Sequence, residues 1–218
     1  MNPTDALPCI GIMGGTFDPP HHGHELAAAL FYKHFKLTAL DLMPCYVSAH
    51  KQHLTQTAAC HRLNMLSLMQ KETQASWGID RREITRQAVS YTVDSLQDLR
   101  AELGKEAIIY FSLGSDSFAD FYTWEGWEHI LTLCHLVVFD RPGTQANSML
   151  PTIGKTAWDM FTDHDSTPGK IYHICGNFIS ISSTTIRRHY AQGASMHPKV
   201  HSSVNNYIMQ HKLYRLDY

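Results

Sequence analysis

The stretch Gly14-Gly15-Thr16-Phe17-Asp18-Pro19-Pro20-His21-His22-Gly23-His24 (GGTFDPPHHGH) lies directly behind a short apolar run, Cys9–Met13. Short apolar runs that end at glycine are typical of buried strands. The apolar residues that follow are spaced as on one face of a helix: Leu26, Ala27, Leu30 and Phe31. The sequence therefore predicts a strand, a glycine turn and a helix. Such a unit directs backbone N–H groups and a helix N-terminus at one point, which predicts a phosphate site.

Strand-like and helix-like patterns alternate along the rest of the chain. Further strands are predicted at 39–43, 107–113, 136–139 and 170–175, and further helices at 58–69, 91–103, 117–133, 182–192 and through Val200, Val204 and Ile208. This alternation is typical of βαβ units. We therefore predict an α/β fold, a doubly wound Rossmann-like parallel sheet, in one domain over residues 1–218 with a small C-terminal helical part from about 182 to 218.

Ligands of a doubly wound sheet bind outside the carboxyl ends of its strands. The turns predicted at Gly14–Gly15 and at Gly114–Asp116 both fall at that edge. The stretch Gly143–Pro168 carries the weakest pattern and no assigned role.

Composition limits the classes of function. The chain has 218 residues, 44% of them hydrophobic, which is enough for one sizeable core. Lys and Arg number 18 against 20 Asp and Glu, for a formal charge of −2. This balance argues against non-specific nucleic-acid binding but allows a small polyanion in one pocket. Neither composition nor pattern specifies an oligomeric state.

The cysteines and the hydropathy pattern predict a cytoplasmic protein. The five cysteines are scattered and form no C-x-x-C pair, which is typical of reduced thiols and argues against disulfides and a cysteine-built zinc site. The first residues carry no pattern of a secretory leader, and no apolar stretch reaches membrane-spanning length.

His21 and His24 stand three residues apart, so at the start of a helix they share one face and can reach the same phosphate group. His22 is then expected to point elsewhere. Two other interpretations remain open for this pair. Histidines at a helix start can be capping or solvated groups, and a zinc site would need a third ligand.

A second motif lies at residues 181–187, Ile-Ser-Ser-Thr-Thr-Ile-Arg. It puts hydroxyl groups at a predicted helix N-terminus and an arginine one turn inside the helix. Backbone N–H groups, hydroxyls and a guanidinium are the donors that phosphate oxygens accept from. The alternative is an ordinary Ser/Thr N-cap.

Together, GxFDPxHxGH and ISSTxIR resemble the nucleotidyltransferases of the HxGH class, and most of all the bacterial nicotinate-nucleotide adenylyltransferases. The resemblance covers essentially the whole chain and includes five shorter segments: His50-Lys51, Ser90-Tyr91-Thr92, Gly114-Ser115-Asp116-Ser117, Thr123-Trp124 and Arg141-Pro142-Gly143. Two positions depart from the family pattern. Ala49 and Val89 stand where proline is usual, which leaves the geometry of the two substrate loops less defined than the phosphate site.

The resemblance implies transfer of AMP from ATP to nicotinate mononucleotide, giving deamido-NAD and pyrophosphate, with Mg²⁺ present. Because the sequence shows no carboxylate pair with metal-cage spacing, we expect Mg²⁺ to be carried on ATP and no metal ligands from the protein. The resemblance assigns catalytic roles to His21, His24, Lys51 and Arg187. It assigns ATP contacts to Gly14, Gly15, Thr16, Phe17, Gly114, Asp116, Ser182, Ser183 and Thr184. It assigns acceptor contacts to Asp18, Tyr91, Thr92 and Trp124.

Several alternatives accompany this interpretation. Asp116 is equally expected as a turn former, and Trp124 as a core residue. A pantetheine-phosphate adenylyltransferase or a cytidylyltransferase would share the phosphate machinery. A nucleotide sensor would bind without turnover, although it would have no use for groups that matter only as charge develops in a transition state.

Overall fold

The computed structural model describes residues 7–49, 56–139, 167–174 and 181–215. Within these ranges the strands are β1 (Cys9–Gly15), β2 (Ala39–Pro44), β3 (Val47–Ser48), β4 (Gly78–Ile79), β5 (Val89–Ser90), β6 (Ile108–Gly114), β7 (His135–Phe139) and β8 (Ile171–Ile174). The helices are α1 (His22–His34), α2 (Ala59–Thr73), α3 (Arg82–Arg86), α4 (Thr92–Leu103), α5 (Ser115–Phe118), α6 (Trp127–Leu133), α7 (Ser183–Ala191) and α8 (Ser202–Gln210). A 3-10 turn at Phe121–Thr123 separates α5 from α6.

Six strands form one parallel sheet in the order β4-β2-β1-β6-β7-β8, and β3 and β5 form a separate parallel pair. The order runs outward in both directions from β1, which pairs with β2 on one side and β6 on the other. The prediction of a doubly wound sheet is therefore confirmed. Because the winding reverses between β1 and β6, their carboxyl ends flank the crevice where such sheets bind ligands.

Helices cover both faces of this sheet, and side chains along each strand alternate between them. Tyr110 and Val137 contact the core beneath α1, α2, α7 and α8, whereas Phe111 and Val138 contact the core beneath α4 and α6. Val204 and Ile208 of α8 are fully buried. The C-terminal helices thus form part of one main core.

Two predicted elements differ from the structure. The helix predicted over 117–133 is broken into α5, the 3-10 turn and α6, because Trp124 is extended and Gly126 is left-handed at φ 63°. The predicted glycine turn begins later than expected. Gly14 and Gly15 belong to β1, where Gly15 pairs with Pro44 of β2.

Four short elements, β3, β4, β5 and α3, carry two to five residues each and were not predicted. Most of the stretch 143–168 and the end of the strand predicted at 170–175 lie outside the described residues. Of the described cysteines, none forms a disulfide. In the part of the chain that the structure describes, we find no helix with the length and apolar character to cross a bilayer.

Candidate active site

The two motif histidines meet where α1 begins. His21 is the N-cap residue in extended conformation, and His24 is the third residue of the helix. Their rings stack with centroids 3.8 Å apart, so the predicted pairing of His21 and His24 is present in the structure. His22 turns away from them and contacts Glu25.

Backbone hydrogen bonds fix the tautomer of both stacked rings. The Gly23 N–H donates to Nδ1 of His21 at 3.1 Å, and the His21 N–H donates to Nδ1 of His24 at 3.2 Å. A ring nitrogen that accepts a hydrogen bond carries no proton, so the proton of each neutral ring lies on Nε2. Both histidines therefore present Nε2–H donors, the groups that a phosphate oxygen accepts from.

The second motif docks on the first across the whole length of the chain. The Ser183 hydroxyl donates to the Pro19 carbonyl at 2.9 Å, and Nη1 of Arg187 donates to the Asp18 carbonyl at 2.8 Å. The other terminal nitrogen of Arg187 lies 3.3 Å from Oγ1 of Thr184. The Asp18 carbonyl thus orients the guanidinium at the start of α7, and the Pro19 carbonyl holds Ser183 beside it.

Ser182, predicted as a nucleotide contact, is the N-cap of α7. Its hydroxyl accepts the Thr185 N–H at 3.2 Å. The alternative of an ordinary cap therefore describes its side chain, whereas the hydroxyl of Ser183 bridges to the other motif.

The Asp18 carboxylate is an internal anchor. The side chain is buried, and its two oxygens accept from the Thr57 N–H at 3.1 Å and from the Tyr214 hydroxyl at 2.7 Å. Burial and the adjacent Asp18 charge raise the pKa of Tyr214 well above its usual range, so the phenol keeps its proton. These contacts favour a structural role for Asp18 over the predicted contact with substrate.

Arg62 is fully buried and forms hydrogen bonds with three loops. Its guanidinium donates to the carbonyls of Thr57 at 2.8 Å, Thr16 at 2.9 Å and Tyr46 at 2.7 Å. A planar guanidinium with five N–H donors can serve three carbonyls in three directions. Arg62 therefore holds the turn after β1 against the segments that follow β2.

Packing within the protein requires glycine at motif positions 14 and 15, because a side chain there would clash with a neighbouring ring. A Cβ on Gly14 would lie 2.7 Å from the Phe111 ring, and one on Gly15 would lie 2.9 Å from the Phe17 ring. Phe17 itself is buried and adopts φ 51°, the left-handed conformation that turns the chain. Because the Phe17 ring is buried, a ligand could contact this residue only through its backbone.

The end of β6 forms the opposite wall of the crevice. Gly114 is the N-cap of the short helix α5, and Asp116 is exposed in that helix. Because β1 and β6 are neighbours, this turn and the turn at Thr16 stand at the same edge of the sheet. The predicted convergence of the two turns is confirmed.

The predicted acceptor residues lie on less buried structure. Tyr91 is exposed and is the N-cap of α4, so Thr92 begins that helix. Trp124 is half-buried and packs against Phe121 with ring centroids 5.5 Å apart. Trp124 is therefore partly accessible and is not a fully buried core residue.

A buried network supports the start of α4 from beneath. The Ser95 hydroxyl donates to the buried Glu83 carboxylate at 2.8 Å, and Ser90 accepts the Tyr46 N–H at 2.9 Å. Burial raises the pKa of Glu83, while hydrogen bonds from Ser95 and Ser90 partly offset that shift. The network ties Tyr46, the residue before β3, to Ser90 of β5, next to Tyr91.

Three residues at the site were missed by the sequence interpretation: Arg62, Glu83 and Tyr214. Each is a charged or polar residue within a helical or terminal pattern, where a solvent-facing position is the ordinary expectation. Only contacts distant in sequence reveal their burial. Lys51, predicted as catalytic, lies outside the described residues, as does the 141–143 segment.

Comparison with known proteins finds a family match and relatives that extend over most of the chain. The cytidylyltransferase-like family profile matches residues 12–189. A protein of Cellvibrio japonicus named "Probable nicotinate-nucleotide adenylyltransferase" is 38% identical over 216 residues, covering 95% of this chain and 99% of its own. A protein of the same name from Psychromonas ingrahamii is 37% identical over 211 residues, covering 94% and 97%.

Solved structures share the fold. The nicotinic acid mononucleotide adenylyltransferase of Plasmodium falciparum, complexed with NaAD, matches with a TM-score of 0.73 at 21% identity, covering 94% of this chain and 97% of its own. The same enzyme complexed with APC matches with a TM-score of 0.71.

Proposed function

The chain belongs to the cytidylyltransferase-like family and, within it, to the nicotinate-nucleotide adenylyltransferases, and we propose that it transfers AMP from ATP to nicotinate mononucleotide, giving deamido-NAD and pyrophosphate. The observation that carries this proposal is the junction of the two motifs. Ser183 and Arg187 bind the carbonyls of Pro19 and Asp18 beside the stacked His21 and His24 rings. Donors to phosphate thus converge at the crevice between β1 and β6.

The proposed reaction needs little acid–base chemistry from the protein. The nucleophile is the phosphate of the mononucleotide, which is largely ionised near neutral pH because its second pKa is about 6. What the site must supply is in-line positioning and stabilisation of the charge that develops on the transferred phosphate and the departing pyrophosphate. The Nε2–H groups of His21 and His24 and the guanidinium of Arg187 are suited to that task.

Mg²⁺ would enter the site with ATP, as part of the MgATP substrate. The buried carboxylate nearest the motif junction, Asp18, has both oxygens occupied by Thr57 and Tyr214. The remaining donors at the junction are imidazole, guanidinium and hydroxyl groups, which suit phosphate oxygens better than a hard cation. The ion would be held by the triphosphate and water, where it would neutralise phosphate charge.

For the acceptor, we assign the nicotinate ring to Trp124 and its carboxylate to the start of α4. A helix N-terminus favours an anion, and the N-cap Tyr91 makes no side-chain hydrogen bond to the first N–H groups of α4. The neutral amide of nicotinamide mononucleotide gains no comparable interaction. Lys51 as a further phosphate contact and a cytoplasmic location stay predictions.

The test is pyrophosphate release from ATP with a panel of phosphorylated acceptors. We expect turnover with nicotinate mononucleotide and a kcat/KM at least about tenfold lower with nicotinamide mononucleotide, a difference of about 1.4 kcal/mol. Preferential turnover of phosphopantetheine, or of CTP as the donor, would reassign the substrate within the family. Nucleotide binding without pyrophosphate release would indicate a sensor.

A further inference from the structure

A second group of histidines lies on the far side of the HxGH segment. Nδ1 of His22 is 3.2 Å from Oε2 of Glu25, and Nε2 of His201 is 2.9 Å from the same oxygen. The three ligand atoms all lie within 4.8 Å of one another. His201 is the N-cap of α8, so the group joins two helices that are distant in sequence.

We propose that His22, Glu25 and His201 form a zinc site distinct from the nucleotide crevice. A tetrahedral zinc ion with bonds of about 2.1 Å spaces its ligand atoms about 3.4 Å apart. The two nitrogen–oxygen separations are close to that spacing, so small side-chain rotations suffice. Two imidazoles and one carboxylate are a ligand set that zinc accepts, with the fourth position left to water.

The surroundings of His201 support the assignment. Its other ring nitrogen, Nδ1, lies 3.7 Å from Oε1 of Glu72. A metal-bound histidine commonly directs its second nitrogen at a carboxylate, which fixes the ring and raises its basicity. Ser202 and Ser203 hold Glu72 in place with backbone hydrogen bonds of 3.2 and 2.8 Å.

The accessibility of the three side chains also fits a site that ions can enter. His22 and Glu25 are about one-third exposed, whereas His201 is 11% exposed. Zinc would displace the hydrogens that now lie between the ring nitrogens and Oε2. By contrast, Nδ1 of His21 and of His24 already accepts a backbone hydrogen bond, which makes the stacked pair a poorer zinc ligand.

The experiment is zinc titration of the metal-stripped, tag-free chain against a fluorescent zinc indicator. We expect one zinc site in the wild type that is weakened at least about 100-fold in His201→Gln and in Glu25→Gln, and about 10- to 100-fold in Glu72→Gln. His211→Gln is the matched control, because His211 stands at the other end of α8 with His61 beside it, ring centroids 5.1 Å apart. It should bind zinc as the wild type does.

Co²⁺ gives a second readout. The wild type should show the visible absorption bands of a four-coordinate site, and these should disappear in His201→Gln but persist in His24→Ala. Circular dichroism of each metal-free variant verifies folding. Equal zinc affinity in wild type and Glu25→Gln, loss of the site in His24→Ala, or no zinc binding by the wild type would each overturn the proposal.

Discussion

The phosphate region and the acceptor region of this crevice are built in opposite ways. At the phosphate region, the motif residues hold one another: Ser183 and Arg187 donate directly to Pro19 and Asp18. At the acceptor region, Tyr91 is exposed and is supported from below. That support comes from Glu83, Ser90 and Ser95. Of these three residues, only Ser90 belongs to one of the sequence motifs.

The difference shows why the two regions respond differently to sequence change. In the phosphate region the same residue stabilises the fold and is proposed to contact the ligand, so a substitution alters the positioning of the site and its charge together. In the acceptor region, different residues stabilise the fold and contact the ligand. Arg62 connects the regions, because it donates to Thr16 on one side and Tyr46 on the other.

The largest effect is expected for His24→Ala. Loss of one preorganised donor to developing charge should lower kcat about 10²- to 10³-fold while ATP affinity falls much less. Single-turnover kinetics with separate ATP binding measurements test this. His34→Ala, at the other end of α1, is the control. Near-normal kcat with weak ATP binding would show that His24 serves binding alone.

Arg62→Lys tests whether the hydrogen bonds of Arg62 stabilise the phosphate region and the acceptor region together. An ammonium keeps the charge but cannot reach three carbonyls in the directions of a guanidinium, so we expect a loss of about 2–3 kcal/mol in unfolding free energy. The affinities for ATP and for the acceptor should fall together. Urea denaturation and both affinities are the measurements, with exposed Arg81→Lys as the control. A change in only one of the two affinities would show that Arg62 does not couple the phosphate region to the acceptor region.

Trp124→Ala should affect the acceptor alone. Loss of a stacking surface is expected to raise the KM for nicotinate mononucleotide about tenfold and leave ATP affinity nearly unchanged. Trp127→Ala is a matched control, because both rings contact Phe121 at similar centroid distances, 5.5 and 6.1 Å. If both variants lose stability equally and neither changes the KM, Trp124 is a packing residue.

The smallest effect is a pH dependence at Glu83. Its pKa is raised in the folded chain, so its contribution to stability is complete below the unfolded pKa of about 4.3 and is lost as pH rises through the folded value. The stability advantage of the wild type over Glu83→Gln should therefore shrink from pH 4 to pH 7. Thermal unfolding at several pH values tests this, with exposed Glu102→Gln as reference. If the stability advantage of the wild type grew with pH instead, the pKa of Glu83 would be lowered in the folded chain, contrary to this prediction.

The sequence predicted the elements whose hydrophobic period is sustained and failed where structure depends on distant contacts. β1, β6, β7 and α4 have the predicted positions within one or two residues. The two-residue strands β3 and β5 are too short to show a period. At the site, each motif was recognisable because it is local, whereas the meeting of the two motifs, 164 and 169 residues apart, was expected from the family resemblance.

Arg62 and Tyr214 illustrate what local pattern cannot supply. A charged residue in the α2 pattern indicates solvent, yet Arg62 is fully buried because three carbonyls from other loops surround it. Tyr214 meets Asp18 across 196 residues of chain. Such pairings depend on tertiary packing, which the local sequence pattern does not contain.

The contact between Asp18 and Tyr214 also sets an order of events during synthesis. The ribosome makes the turn after β1 long before its partners in α7 and beyond α8. A nascent chain with β1 and α1 already paired still lacks the hydroxyl that completes the Asp18 anchor and the guanidinium of Arg187. Contacts of such long sequence separation carry a high loop-closure entropy cost, which slows folding. The nucleotide crevice is thus completed only after Arg187 and Tyr214 have been translated.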